Sequence, residues 1–93
     1  MIDKYLPIGT IVILKGGRKR LMITGFACKS EETNNQLFDY CGCLYPEGVI
    51  FTDKSILFNH DQIEHIFFMG YVDEDEKAFK VNLEKIVSNM NNN

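Results

Sequence analysis

Short apolar and alternating segments separated by polar turns run along most of this chain, a pattern that predicts β-strands. Residues two apart in a strand point to the same face. The central strand, 37–45, is predicted to carry Phe38, Tyr40 and Leu44 on one face and Asp39, Cys41, Cys43 and Tyr45 on the other. Gly42 leaves a gap that another backbone or a large side chain can fill. Pro46 and Gly48 end the strand, because proline has no N–H to donate and glycine can adopt a positive φ.

Five further segments fit the same pattern. The predicted strands are 9–15, 18–26, 49–51, 56–58 and 63–69, in addition to the central one. Gly16 and Gly17 predict a tight hairpin turn between the first two strands. Residues 29–36 are polar throughout and predict a loop. Asn59 is a good N-cap with Gln62 three residues later, which predicts a single helical turn.

The C-terminal segment has helical periodicity. Asp73 is the predicted N-cap, with Glu76 three residues later. The apolar stripe consists of Phe79, Leu83, Ile86, Val87 and Met90. We therefore predict one α+β domain over residues 1–93. It has a small, strongly bent antiparallel sheet or open barrel of five to six strands over 8–69. An amphipathic helix over 73–90 packs on that sheet, and residues 91–93 fray.

Composition narrows the class of protein. The chain has 93 residues and a net charge of −3, whereas a nucleic-acid-binding domain usually has a basic excess. No apolar run approaches the length of a membrane span, and nothing resembles a signal peptide. Three cysteines do not suit a disulfide framework, which favours reduced thiols and a cytoplasmic location.

Three groups of side chains are candidates for reactive sites. Cys41 and Cys43 share a strand face, with Cys28 as a third candidate thiol, but their spacing differs from that of zinc knuckles and favours packing. Asp39 could be a catalytic acid. The interpretation we favour is a structural carboxylate that caps a turn or pairs with Arg20 or Lys19. His60 and Asp61 resemble an acid–base pair, but no nucleophile is tied to them by motif spacing. We therefore predict no catalytic residue, no metal and no cofactor.

The one basic cluster lies around the Gly-Gly turn, with Lys15, Arg18, Lys19 and Arg20. It is not a phosphate-binding P-loop, since no Gly-Lys-Ser/Thr follows and the next element is a strand. A solvated hairpin tip is the simpler interpretation. The alternative function is a small barrel that binds nucleic acid through residues 15–20 and exposed aromatic residues.

Aromatic residues near the last strand are candidates for partner contacts. Phe67 and Phe68 fall on opposite faces, so one of them is expected to point away from the core. An exposed apolar patch there would indicate a partner, and a free sheet edge would allow strand addition. The candidate contact residues are Tyr5, Phe67, Phe68 and Tyr71.

Several linked motifs resemble one family of small proteins from Gram-positive bacteria, long catalogued as a domain of unknown function. The resemblance covers about residues 5–80. It is carried by Leu6 to Gly17, Lys19 to Ile23, Phe38 to Gly48, Phe58 to Ile63 and Gly70 to Glu76. Genes of that family lie beside those of type VII secretion systems and their LXG toxins.

The resemblance implies a non-catalytic cytosolic adaptor or chaperone that binds an LXG toxin or its helical targeting partner before export. It brings no catalytic residues with it. The motif positions are interpreted as structural: Gly9, Gly16, Gly17, Asp39, Gly42, Pro46, Gly48, Asn59 and Asp73. A homodimer is left open as another way to cover apolar strand faces.

Overall fold

The predicted α+β architecture is confirmed in a computed structural model, which describes residues 4–31, 34–50 and 55–91. The elements are β1 (Ile11–Leu14), β2 (Leu21–Ser30), β3 (Gln36–Leu44), β4 (Ile56–Phe58), a 3-10 turn (His60–Gln62), β5 (Ile63–Phe68) and α1 (Glu74–Asn91). The five strands form one antiparallel sheet in the order β4-β3-β2-β1-β5. The sheet is open and is not closed into a barrel, so β4 and β5 are its edges.

Three boundaries differ from the sequence prediction. The predicted loop 29–36 is shorter, because Lys29 pairs with Leu37 and Ser30 with Gln36 across β2 and β3. The hairpin between β1 and β2 is wider, since the two strands pair only at Ile11 and Val12 and residues 15–20 connect them. All four residues of β1 pair with β5, whereas only the first two also pair with β2.

The predicted strand 49–51 is wrong for the two positions that are described. Neither Val49 nor Ile50 belongs to a strand, and Phe51 lies outside the described residues. The chain turns back directly after β3, where the Gly48 N–H donates to the Leu44 carbonyl at 2.8 Å. Positions 92 and 93 of the predicted frayed tail also lie outside the described residues.

Tyr40 lies at the centre of the main core. Its fully buried ring stacks on Phe58 of the neighbouring β4, with the ring centroids 5.3 Å apart. The buried side chains of this cluster are Leu6, Val12, Leu21, Ile23, Tyr40 and Phe58. Burial of large apolar side chains is the main favourable term in folding, so this cluster holds the sheet together.

The predicted gap at Gly42 is confirmed. A Cβ built at Gly42 would lie 2.5 Å from the Met22 carbonyl oxygen and 3.4 Å from a ring carbon of Phe58. A side chain at this position would therefore push β2 away and displace the ring that stacks on Tyr40. The glycine permits the close approach of β2 that the core needs.

The helix α1 packs on the sheet through part of its predicted stripe. Leu83 and Val87 are buried against Tyr5 of the N-terminal segment, and partly buried Phe26, Ala27 and Leu37 surround them. Phe26 belongs to the edge of both clusters, and its ring lies 6.1 Å from Tyr40 and 5.9 Å from Phe79. The helix therefore extends the Tyr40 core, while Phe79, Ile86 and Met90 of the stripe remain exposed.

Asp73 caps the helix as predicted. The Glu76 backbone N–H donates to Asp73 Oδ1 at 2.9 Å, and three acidic residues follow in the first turn, where the helix dipole favours negative charge. Within the described part of the chain, no helix has the length and hydropathy needed to span a bilayer.

The helix contact predicts a clear difference between two positions on α1. Leu83→Ala should lower the free energy of unfolding by about 2–4 kcal/mol, because the side chain is 5% exposed and leaves a cavity against Tyr5. Ile86→Ala, at a position 53% exposed, is the matched control and should change it by about 0.5 kcal/mol or less. Urea unfolding followed by circular dichroism measures both, and equal losses would contradict this packing.

Candidate functional site

The four predicted partner-contact residues are separated by the fold. Phe67, Phe68 and Tyr71 are 52%, 62% and 79% exposed at the end of β5 and just beyond it. Tyr5 is only 4% exposed and packs between Phe26, Tyr40 and the helix. The exposed apolar surface therefore gathers around β5, and Tyr5 belongs to the interior.

The strand β5 is an irregular edge. Its register against β1 pairs Ile63 with Leu14, His65 with Ile13, Ile66 with Val12 and Phe68 with Ile11. Glu64 and Phe67 are thus extra residues that no position of β1 matches, which makes two bulges in six residues. Bulges redirect side chains, so Phe67 and Phe68 are both exposed, contrary to the prediction that one of them faces inward.

A line of four side chains crosses from the end of β3 to β5, and we call it the Arg20 row: Tyr45, Arg20, Phe67 and His65. The Arg20 guanidinium carbon lies 5.0 Å from the centre of the Tyr45 ring and 5.8 Å from that of Phe67. Phe67 in turn meets His65 edge-on, with the ring centroids 4.6 Å apart. A cation this close to aromatic faces is attracted by their quadrupoles, so the row is a connected unit.

Local pairing explains how the row forms. The Tyr45 N–H donates to the Arg20 carbonyl at 2.9 Å, which continues the β2–β3 ladder by one bond and places the two side chains together. The bulge at Phe67 lies in β5, and the Phe67 ring also comes close to the Arg20 guanidinium. The row therefore depends on the ends of three elements that are far apart in the sequence.

Charge around the row is mostly basic. Lys19 Nζ pairs with Glu47 Oε2 at 2.6 Å, and this contact lowers the pKa of the Glu47 carboxyl. Within residues 4–31, 34–50 and 55–91, the ion pairs do not include Lys15, Arg18 or Arg20. Three cations close together at residues 15–20 thus remain available to an acidic partner.

A second polar group lies at the 3-10 turn. Asp39 Oδ2 accepts the His60 N–H at 2.8 Å, and Oδ1 pairs with Lys4 Nζ at 3.0 Å. Asp39 therefore caps the turn, as predicted, and its cation partner is Lys4 rather than Arg20 or Lys19. The hydrogen bond with Asp39 raises the pKa of the Lys4 ammonium group.

Asn59 ties the same turn to the sheet. Its Oδ1 accepts the Asp39 N–H at 3.0 Å, and its own N–H donates to Gln62 Oε1 at 2.7 Å. The side chain of Asn59, just after β4, thus ties the turn to the backbone of Asp39 in the middle of β3. These bonds support the structural role predicted for both residues.

Tyr40 connects this turn to the N-terminal segment. Its hydroxyl oxygen accepts the Leu6 N–H at 3.0 Å and lies 2.7 Å from His60 Nδ1. The hydroxyl and Nδ1 share a second hydrogen bond, in which the tautomer of His60 decides the donor. Burial is the largest cause that raises the pKa of Tyr40, from its ordinary 10.0 to about 12. Together these bonds fasten the turn and the N-terminal segment to the core.

The three cysteines are free thiols. Cys43 is buried, and burial together with a hydrogen bond to Cys41 raises the pKa of Cys28 to about 12. A thiol with so high a pKa carries almost no thiolate at neutral pH and is a poor nucleophile. In the described part of the chain, no three His, Cys, Asp or Glu side chains form a metal-binding group.

Sequence reasoning missed two members of the Arg20 row, Tyr45 and His65. It named Arg20 as part of the basic cluster and as a possible partner of Asp39, and it named Phe67 as a candidate partner-contact residue. The observed antiparallel register, with Leu21 opposite Leu44, places Tyr45 beside Arg20. The sequence alone does not specify this register, so it carried no signal for the row.

A comparison with protein families finds one match. The model of a domain of unknown function, DUF4176, covers residues 5–79. No curated protein sequence and no solved structure matches the chain. The match spans every strand of the sheet and the first turn of the helix.

The Tyr40 hydroxyl predicts a pH-dependent stability. Tyr40→Phe should cost about 1–3 kcal/mol at pH 7, because the buried Leu6 N–H loses its acceptor. The raised pKa means that the folded state keeps the phenol proton longer than the unfolded state does. The contribution of the Tyr40 hydroxyl to the free energy of unfolding is therefore complete below pH 10, and it is lost as the pH rises from 10 to about 12.

Urea unfolding at pH 8, 10 and 11.5 measures this dependence. The loss of stability between pH 10 and 11.5 should be smaller in Tyr40→Phe than in the wild type. Tyr71→Phe, at an exposed position, is the control and should follow the wild type. The same alkaline slope in wild type and Tyr40→Phe would contradict the assignment.

Proposed function

We propose that this chain, which belongs to the DUF4176 family of domains of unknown function, is a non-catalytic protein-binding module. It acts as an adaptor or chaperone in the cytoplasm. The partner class is the one implied by the resemblance of its motifs: a type VII secretion substrate, namely an LXG toxin, or the helical protein that targets it.

The observation that carries the proposal is the exposed apolar surface around β5. Phe67, Phe68 and Tyr71 present large aromatic side chains to solvent. Ile8 and Met69 are also exposed, and the backbone of Ile8 lies against Gly70 at the end of this strand. Monomeric proteins rarely leave so many large apolar side chains uncovered together, and such patches usually mark an interaction site. Aromatic residues and arginine are also the side chains that dominate protein interfaces.

The bulges of β5 favour contact through side chains over strand addition. A partner strand needs an uninterrupted row of backbone N–H and C=O groups on the free edge. Glu64 and Phe67 break that row twice within six residues. The same bulges protect the edge from pairing with other chains, which is a common role of edge bulges. A helix or a turn that lies across the aromatic side chains fits this surface better.

One observation favours a second candidate function, binding of single-stranded nucleic acid. Arginine beside aromatic rings, with Lys15 and Arg18 nearby, is a combination that stacks bases and neutralises phosphates. The net charge of −3 opposes it, because association with a polyanion depends on a positive field. We therefore place protein binding first.

Coexpression tests the proposed function directly. The chain is produced with the amino-terminal targeting region of an LXG toxin and the small helical proteins encoded beside it, and complexes are isolated by size-exclusion chromatography. We expect a complex with the wild type. Replacement of both Phe67 and Phe68 by serine should weaken it at least about tenfold, because aromatic residues at an interface commonly contribute most of its energy.

Ile86→Ser is the matched control, since Ile86 is equally exposed but lies on the helix. It should leave the complex unchanged. The absence of any complex with the wild type, or equal binding by the double serine variant, would contradict the proposal. Tighter binding to a twenty-nucleotide single strand than to any of these proteins would favour the second candidate.

A further inference from the structure

We infer that Arg20 determines the specificity of the β5 surface, and that the partner segment it selects carries a carboxylate beside apolar residues. This inference rests on the proposed function, because it assumes that the surface binds protein. Beyond that function, it specifies the chemical character of the partner segment that the surface recognises. The juxtaposition behind it is the Arg20 guanidinium between the rings of Tyr45 and Phe67.

The two aromatic rings contact the guanidinium without accepting a conventional hydrogen bond from it. The attraction of a cation to an aromatic ring needs no N–H acceptor, so the planar fork of N–H donors is kept for a ligand. With ring distances of 5.0 and 5.8 Å, the rotamer of Arg20 is restricted before any ligand arrives. Less side-chain entropy is then lost on binding, which makes a two-pronged contact with a carboxylate more favourable.

Among the described residues, no acidic side chain forms an ion pair with Arg20. Glu47, in the turn after β3, is held by Lys19 at 2.6 Å. Glu64 of β5 is exposed, and the ion pairs seen among residues 4–31, 34–50 and 55–91 do not include it. Lys15 and Arg18 add positive charge within the same connection between β1 and β2. The local field therefore attracts an anionic group although the whole chain is acidic.

The apolar neighbours decide which anion fits. Phe67 lies beside the guanidinium on the β5 side, and the next residue, Phe68, is also exposed, so a ligand that reaches Arg20 also meets aromatic surface. A peptide can present a carboxylate and apolar side chains together. A nucleic-acid strand brings one phosphate per nucleotide, and the −3 charge of the chain repels such a dense array. The observations therefore favour an acidic and apolar peptide segment.

A peptide library tests the inference while the natural partner is still unidentified. Random twelve-residue peptides displayed on phage are selected against the full-length wild-type protein, and the best binders are synthesised for fluorescence anisotropy. We expect the selected peptides to combine Asp or Glu with apolar residues. Arg20→Gln should weaken them about tenfold or more, because it removes a charge-assisted two-pronged contact.

Two matched variants separate geometry from charge. Arg20→Lys keeps the charge but lacks the planar fork, and it should recover only part of the affinity. Arg18→Gln removes an equal charge from the same connection, at a residue that none of the aromatic contacts of Arg20 involve. It should weaken binding about twofold or less, since exposed charges act weakly at a distance.

A double-mutant cycle completes the test, with the peptide carboxylate changed to its amide. If Arg20 touches that carboxylate, the amide peptide and Arg20→Gln should not have additive effects. Additive effects, or selected peptides without acidic residues, overturn the inference. Peptides that bind Arg20→Gln normally but not Phe67→Ser overturn it and leave the proposed function standing. No selected peptide, or tighter binding of a dT20 oligonucleotide, overturns both.

Discussion

The structure depends on one buried side chain, Tyr40, whose ring and hydroxyl are both satisfied inside the sheet. The ring packs on Phe58 of the edge strand β4 and near Phe26 of β2. The hydroxyl accepts the Leu6 N–H and forms a second hydrogen bond with His60 Nδ1. A phenol without partners would be costly to bury in this position, so the core is stable only with the N-terminal segment and the 3-10 turn in place. Tyr40 of β3 thus couples three parts of the chain that are distant in sequence: the N-terminal segment, β2, and the stretch that holds Phe58 and His60.

This coupling decides which surfaces are covered. The N-terminal segment is hydrogen-bonded to Tyr40 through the Leu6 N–H. The Tyr5 side chain in that segment packs against Leu83 and Val87 of the helix. The helix is committed to that end of the core, and the aromatic side chains of β5 receive no cover from it within the described residues. The bulges that turn Phe67 and Phe68 outward also bring Phe67 against Arg20. The candidate binding surface is therefore a consequence of where the core places its helix.

The sequence predicted the elements better than their connections. Period-two patterns located the central strand and the Gly42 gap, and capping-box spacing located the turn at Asn59 and the Asp73 cap, because each of these depends on neighbouring residues. The sequence did not locate the bulges at Glu64 and Phe67, since these residues are recognised as extra only when β5 is paired with β1. Tyr5 was predicted to contact a partner, because no neighbouring residue in the sequence indicates that the helix buries its ring. The Arg20 row required the register of three strands, which a single sequence does not specify.

Native-state hydrogen exchange at the Leu6 amide tests the central role of Tyr40 most directly, because that N–H donates to the Tyr40 hydroxyl and to no strand of the sheet. The comparison is the Ile23 amide, which donates to the Thr10 carbonyl at 3.0 Å beside the same core. If Tyr40 has this central role, the Leu6 amide exchanges about as slowly as the Ile23 amide, because both exchange only through global unfolding. Exchange of Leu6 at the rate of an exposed loop amide, with Ile23 still protected, would contradict it.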